Sequence, residues 1–367
     1  MEKIKLGKVV DIISGFAFDS RMFNDYSGTP LIRIRDVKRG YTETYTTQDY
    51  DKKYIIKNGD ILIGMDGEFN IGKWKSKEAL LNQRVCKIIP KEINADYLFY
   101  LLPKKLKNIE SRTAFVTVKH LSVKQIENIE IDLIEMEQQK RVAKKLAMIS
   151  KIIEIKQVQI KQLNELIKSQ FVEMFENCKN IELIGKKIDI CRGASPRPIN
   201  NFITEDVNGE NWIKIGDASE NSLYITSTKE KITSEGANKS RRVYKGDFIL
   251  SNSMSYGRPY ILGINGCVHD GWLIMSKFQN TFNELYLYYA IRDEYVQNQF
   301  AGKVNGATVK NLNSDLVKAS FIKIPPIEAQ NRFAEFVKQI DKQKFEIQKS
   351  LEEMKKLQES LMNKYFW

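Results

Sequence analysis

The sequence predicts an α+β fold: two pseudo-symmetric mixed α/β domains separated by two long antiparallel coiled-coil helices. Three observations predict it. The chain repeats itself once, at an offset that drifts from 177 to 191 residues. Each copy opens on short β-rich runs bounded by Gly, Asn and Asp. Each copy closes on a long helical stretch with apolar residues every seven positions. The predicted segments are 1–135, a helix over 136–178, a second domain over 179–325 and a second helix over 326–367.

The repeat is legible segment by segment. Ile32-Arg33-Ile34-Arg35-Asp36 resembles Ile213-Lys214-Ile215-Gly216-Asp217, and Lys57-Asn58-Gly59-Asp60 resembles Tyr244-Lys245-Gly246-Asp247. Tyr97-Leu98-Phe99-Tyr100 resembles Tyr286-Leu287-Tyr288-Tyr289. In the first domain, strands are expected at Leu31–Ile34, Ile61–Ile63 and Val85–Ile89. In the second they are expected at Trp212–Ile215 and Phe248–Leu250. Asn58-Gly59 and Lys245-Gly246-Asp247 read as tight turns. Helices are expected near Ala95–Leu102 and Asn283–Arg292. Trp74, Trp212 and Trp272 read as core.

Residues 136–176 hold no Gly or Pro, and Leu146, Ile153, Ile160, Ile167 and Met174 recur every seven. Ile340, Ile347, Met354 and Leu361 do the same in the second copy. That is a coiled-coil seam on each helix. Lys156 and Gln170 interrupt the first seam, Lys344 and Gln358 the second. Lys156 aligns with Ile347 and Lys344 with Ile153, so pairing of the two helices with each other is favoured over self-pairing. Phe175 aligns with Phe366 and Ile181 with Ile4. A true pseudo-two-fold therefore puts Phe366 within about 20 Å of Ile4, the reach of the six-residue Phe175–Ile181 connection.

The chain carries net charge +12, which favours polyanionic partners. The two helices account for +3 and +1, leaving +8 on the mixed domains. No run of about 18 apolar residues is present, and the N-terminus has no apolar signal core, so a cytoplasmic protein is expected with no membrane role. The four cysteines lack C-x-x-C spacing and neither histidine has a cysteine at zinc-finger spacing, so neither a disulfide framework nor a structural metal is expected.

Catalytic motifs are missing. There is no phosphate-binding Gly-x-x-x-x-Gly-Lys-[Ser/Thr] loop, no Gly-x-Gly cofactor turn after a strand and no Gly-x-Ser-x-Gly elbow. Pro325-Pro326 follows Ile324, where an amino-methyltransferase motif would need Asn or Asp. No catalytic residue and no bound cofactor is expected.

Base-reading side chains are plentiful. Arg pairs bidentately with guanine, Asn and Gln with adenine, and carboxylates accept from cytosine. The first domain offers Arg33, Arg35 and Lys38 after one strand, then Asp66, Glu68, Asn70 and Lys73 in a Gly-rich loop, then Arg84. The second offers Arg192, Ser195 and Arg197, then Arg241 and Arg242, then Asn252, Ser253, Ser255, Tyr256 and Arg258, with His269-Asp270-Gly271 following.

With these features the whole chain resembles the specificity subunit of a Type I restriction–modification enzyme. The duplicated Gly-Asp turns carry the resemblance. So do Ile324-Pro325-Pro326-Ile327-Glu328-Ala329-Gln330, Ser169–Phe175 and Arg192-Gly193-Ala194-Ser195-Pro196-Arg197-Pro198. Ile134-Glu135 departs from the family's proline pair in the first copy. The resemblance implies a non-catalytic DNA reader, with each mixed domain a target recognition domain for one half of a bipartite duplex target. It implies helices that dock two modification (methyltransferase) subunits, which would carry S-adenosylmethionine, and motor/nuclease restriction subunits that join them. The competing expectations are a stand-alone DNA-modifying or DNA-cleaving enzyme with an unrecognised site, and a coiled-coil scaffold without a DNA role.

Overall fold

Two helices of 40 residues each, Met136–Phe175 and Ile327–Phe366, follow the two halves of the duplication. The computed structural model describes residues 2–112, 119–219, 222–252, 256–303 and 312–366. By contacts the chain forms two units, Met1–Val158 with Gln348–Trp367, and Gln159–Ile347. Each unit thus takes one mixed α/β domain and about half of each long helix, an interleaving that the linear reading of four consecutive segments does not express.

The first unit holds a four-stranded antiparallel sheet in the order Val10–Ser14, Val85–Pro90, Ile61–Gly64, Asn70–Lys73. A second, five-stranded sheet contains one parallel pair, Thr29–Ile32 with Ala79–Leu81. Glu2–Lys5 pairs with Glu130–Leu133 beside them. The second unit repeats the plan. Asp189–Arg192, Trp272–Ser276, Phe248–Ser251 and Pro259–Leu262 form the matching sheet, extended by Tyr224–Ile225. Its other sheet has the matching parallel pair, Glu210–Ile213 with Gly266–Val268.

The duplicated turns agree in conformation and hydrogen bonding. Gly59 and Gly246 both have φ +92°, a region open to glycine and strained for other residues. The following Asp60 and Asp247 carboxylates accept the N–H of Lys57 and Tyr244, each at 2.7 Å. Gly15 and Gly193 also match. A Cβ there would meet the carbonyl oxygen of Asn82 at 2.0 Å and of His269 at 2.2 Å, so both positions need glycine for close backbone approach.

Three expected elements shift. The strand expected at Leu31–Ile34 is Thr29–Ile32, and that at Trp212–Ile215 is Glu210–Ile213. The cause is shared: Asp36 accepts the N–H of Arg33 and Asp217 that of Lys214, which turns Ile34–Asp36 and Ile215–Asp217 into 3-10 turns. The helix expected to end before Pro103 runs from Ala95 to Arg112. Leu101, Leu102 and Leu106 are buried on either side of the proline, and that packing outweighs the lost backbone hydrogen bond. Trp74, Trp212 and Trp272 are buried.

The helices complete both cores. In the first unit Val142, Ala143 and Leu146 of the first helix join Phe366 of the second, whose ring lies 5.1 Å from that of Tyr97. Ile4 and Leu361 pack against this same core, so Phe366 and Ile4 share one hydrophobic cluster. In the second unit Ile167, Phe171 and Phe175 meet Phe333, Val337 and Ile340. Phe171 and Phe175 lie 5.3 and 5.6 Å from Phe333. The start of each helix therefore packs with the end of the other, and the pair is antiparallel. Ile153, Ile160, Ile347 and Met354, at the other heptad positions, are half-buried. Gln358, one of the polar heptad positions, donates to Ser150 Oγ at 2.8 Å.

Candidate nucleic-acid interface

Strand direction decides which loops meet. In the second unit the C-terminal ends of Asp189–Arg192 and Phe248–Ser251 lie beside the N-terminal end of Trp272–Ser276, because Arg192 pairs with Leu273 and Ser251 with Trp272. The segments 193–198, 256–258 and 269–271, with Asn252, consequently converge at one end of the sheet. In the first unit the same logic gathers 15–18, 65–69 and 82–84, with Cys86 opposite Ser14 and Val85 opposite Gly64.

Asp270 is the hub of the second cluster. Its Oδ1 accepts Ser195 Oγ–H at 2.8 Å and its Oδ2 accepts Arg197 Nη2–H at 3.3 Å. Arg192 Nη2 lies 3.8 Å from Oδ2. The Asp270 carbonyl accepts Arg192 Nε–H at 2.7 Å and Asn252 Nδ2–H at 2.9 Å. Partial burial pushes the carboxyl upward, but the Ser195 and backbone hydrogen bonds and the neighbouring Arg192 outweigh it, so Asp270 titrates below the ordinary carboxylate range. Arg192 and Arg197 are exposed, whereas Asn252 is only 5% exposed and supports the cluster from beneath.

The neighbouring His269 is held differently. Its Nε2 accepts the N–H of Ile215 at 3.1 Å and its Nδ1 faces the N–H of Gly271 at 2.7 Å. Burial lowers its pKa, against a smaller upward pull from Asp270.

Other predicted residues of this unit spread around the cluster. Arg241 and Arg242 stand on an edge strand opposite Val268 and Cys267, with the Arg242 guanidinium 2.7 Å from Glu210. Arg258 is half-buried, and its N–H donates to Ser251 Oγ at 3.1 Å. Tyr256 packs partly buried against the core. Ser253 and Ser255 lie outside the described residues.

The first unit builds its own cluster around Asp66. His120 Nδ1 lies 2.6 Å from Oδ1, and Arg84 Nε 3.3 Å from Oδ2. Arg84 adopts φ +69°, a left-handed conformation uncommon for a non-glycine residue. Lys38 reaches Glu68 at 3.1 Å, tying the turn after Thr29–Ile32 to the same loop. Arg33 and Arg35 are exposed on that turn, and Asn70 Nδ2 donates to the Glu68 carbonyl. Lys73 stands apart. It lies opposite Ile61, at the far end of the strand pair from Asp66, and is paired with Asp96.

Asp270 and His120 escaped the sequence reading as site residues. His120 lies 54 positions from Asp66, with no local spacing to announce it. Asp270 stood in plain view beside Gly271, but only the strand register shows that it faces the 192–197 segment.

Known proteins resemble this arrangement over its full length. The profile of the Type I restriction modification DNA specificity domain matches residues 1–165 and again 188–356. The Escherichia coli Type I restriction enzyme EcoBI specificity subunit is 28% identical over a 403-residue alignment that spans 99% of this chain and 85% of that protein. The Methanocaldococcus jannaschii Type I restriction enzyme MjaVIII specificity subunit is 24% identical, over 85% of this chain and 79% of that one. Among solved structures, the Type-I restriction-modification system S subunit from M. genitalium shares the fold with a TM-score of 0.62 at 13% identity, covering 100% of this chain and 96% of that chain. A chain from a structure on complex assembly and conformational transition of the type I R-M system aligns with a TM-score of 0.58 at 16% identity, covering 100% and 97%. The profile matches twice because the chain is built twice, and on that ground it belongs to the type I restriction modification DNA specificity family.

Proposed function

We propose that this chain is the DNA specificity subunit of a type I restriction–modification complex, and that each unit reads one half of a bipartite duplex target. The observation that carries this reading is the pair of arginine-bearing loop clusters at equivalent ends of equivalent sheets. Exposed Arg192, Arg197 and Arg84 combine charge for phosphates with bidentate donors for guanine.

The long helices space the readers and dock two modification subunits. Met148, Ile152 and Ile155 support the docking role. At spacings of four and three they form one apolar stripe, 59%, 39% and 47% exposed, on the side of the first helix away from Leu146, Ile149 and Ile153. S-adenosylmethionine and the methyl transfer belong to those modification subunits, and the motor/nuclease subunits join the same assembly. The chain itself performs no chemistry and works in the cytoplasm. No helix among the described residues is long and apolar enough to cross a membrane.

The test is a domain exchange. Residues 179–325 are replaced by the corresponding domain of another specificity subunit, the complex is assembled, and methylated adenines are mapped across a genome. One half-site should change and the other persist. A target unaltered by the exchange, or methylation by the isolated chain, would favour the stand-alone enzyme instead.

A further inference from the structure

We propose that Asp270 is a positioning residue for half-site reading, a clasp that aims Arg192 and Arg197 and does not itself read DNA. The inference rests on the DNA-reading role proposed above. Three chain segments that are remote in sequence converge on this one residue. Ser195 and Arg197 bond its carboxylate, while Arg192 and the buried Asn252 bond its carbonyl.

Affinity alone does not explain the carboxylate. A negative charge beside two arginines weakens their attraction for phosphates. What it supplies is direction. Each guanidinium has five N–H donors in a rigid fork. Bonding one edge to Asp270 fixes where the remaining donors point, and removes side-chain freedom that would otherwise be lost on binding. A fixed fork distinguishes base edges, whereas a mobile one serves phosphates of any sequence.

The first unit solves the same problem from different chain positions. There the carboxylate is Asp66, after the strand Ile61–Gly64, and the arginine is Arg84, before Val85–Pro90. In the second unit the carboxylate precedes the matching strand Trp272–Ser276, and the arginines follow Asp189–Arg192 or end it. A feature inherited passively through the duplication would occupy the same position in both copies. This one recurs at the same end of the sheet but is built from different strand ends. The difference aims the two sets of arginines differently, as half-sites of different sequence would require.

The test uses the full complex with its modification subunits and duplexes bearing the target found by methylation mapping. Asp270→Asn keeps an acceptor for Ser195 and removes the charge. Discrimination against base changes in the half-site read by residues 179–325 should fall about tenfold, the scale of one good bidentate contact. Discrimination at the other half-site should stay as in the parent. Asp270→Glu, which restores the charge, should recover part of the loss. Asp66→Asn should produce the mirror result. Equal loss at both half-sites, no loss at either, or tighter binding to every duplex with discrimination intact would each overturn the positioning role. Failure of the domain exchange to move a half-site would instead strike the DNA-reading role itself.

Discussion

His269 shows how tightly the second loop cluster is bound to the core beneath it. Backbone N–H groups of Ile215 and Gly271 face its two ring nitrogens; the neutral ring carries a proton on one nitrogen and accepts on the other, and a second proton removes that acceptor. Its folded-state pKa is lowered from 6.5, chiefly by burial. The sign follows from linkage: the unfolded chain binds the proton more readily, so the stabilising contribution is complete above pH 6.5 and is lost as pH falls below it. Thermal melting of the parent chain should therefore drop between pH 7.5 and 5.5. His269→Asn should melt lower at pH 7.5 and follow a flatter profile over that range. Parallel profiles for the two proteins would show that another group sets the slope. Asp270 has a lowered pKa as well, but its contribution is lost only in the carboxylate range, at lower pH.

The long helices were the most legible elements, because a heptad pattern needs no tertiary knowledge to be read. Burial along both follows spacings of three and four, with Leu146, Ile149 and Ile167 buried on one and Val337, Ile340 and Leu351 on the other. The Gly-Asp turns were equally legible, since their conformation is local. The ends of two strands were not, because a single carboxylate, Asp36 or Asp217, diverts the backbone one residue beyond the apolar run. The carboxylate clasps were hidden for a related reason: Asp66 and His120 meet through strand register and not through spacing. The seam carries its own prediction. Each helix rises about 1.5 Å per residue, so one added heptad lengthens it by about 10 Å, or roughly three base pairs of duplex. Inserting a heptad into both helices, after Lys156 and after Phe345, should widen the unread spacer of the target in methylation maps. A functional complex with an unchanged spacer would remove the helices from that role.

At the scale of the molecule, the most consequential feature is that the first unit's core ends with Phe366, packed against Tyr97. This fixes an order of events during synthesis. The second unit is one continuous stretch, Gln159–Ile347, and every side chain of its core has left the ribosome once that stretch emerges. The first unit is begun first, yet waits for residues 348–366 before its last wall exists. The usual expectation that the N-terminal part of a chain folds first is reversed here, and the earlier half stays incomplete for longer. A stop after Ile347 should leave residues 159–347 resistant to limited proteolysis while residues 2–158 are digested. Supplying 348–367 in trans should restore protection to residues 2–158. Equal resistance of the two halves in the truncated chain would mean that the first unit closes without its late-arriving helix. Until that helix arrives, the nascent first unit presents an open apolar seam to the cell, and chaperone demand should track the synthesis of the last twenty residues more than that of the first hundred.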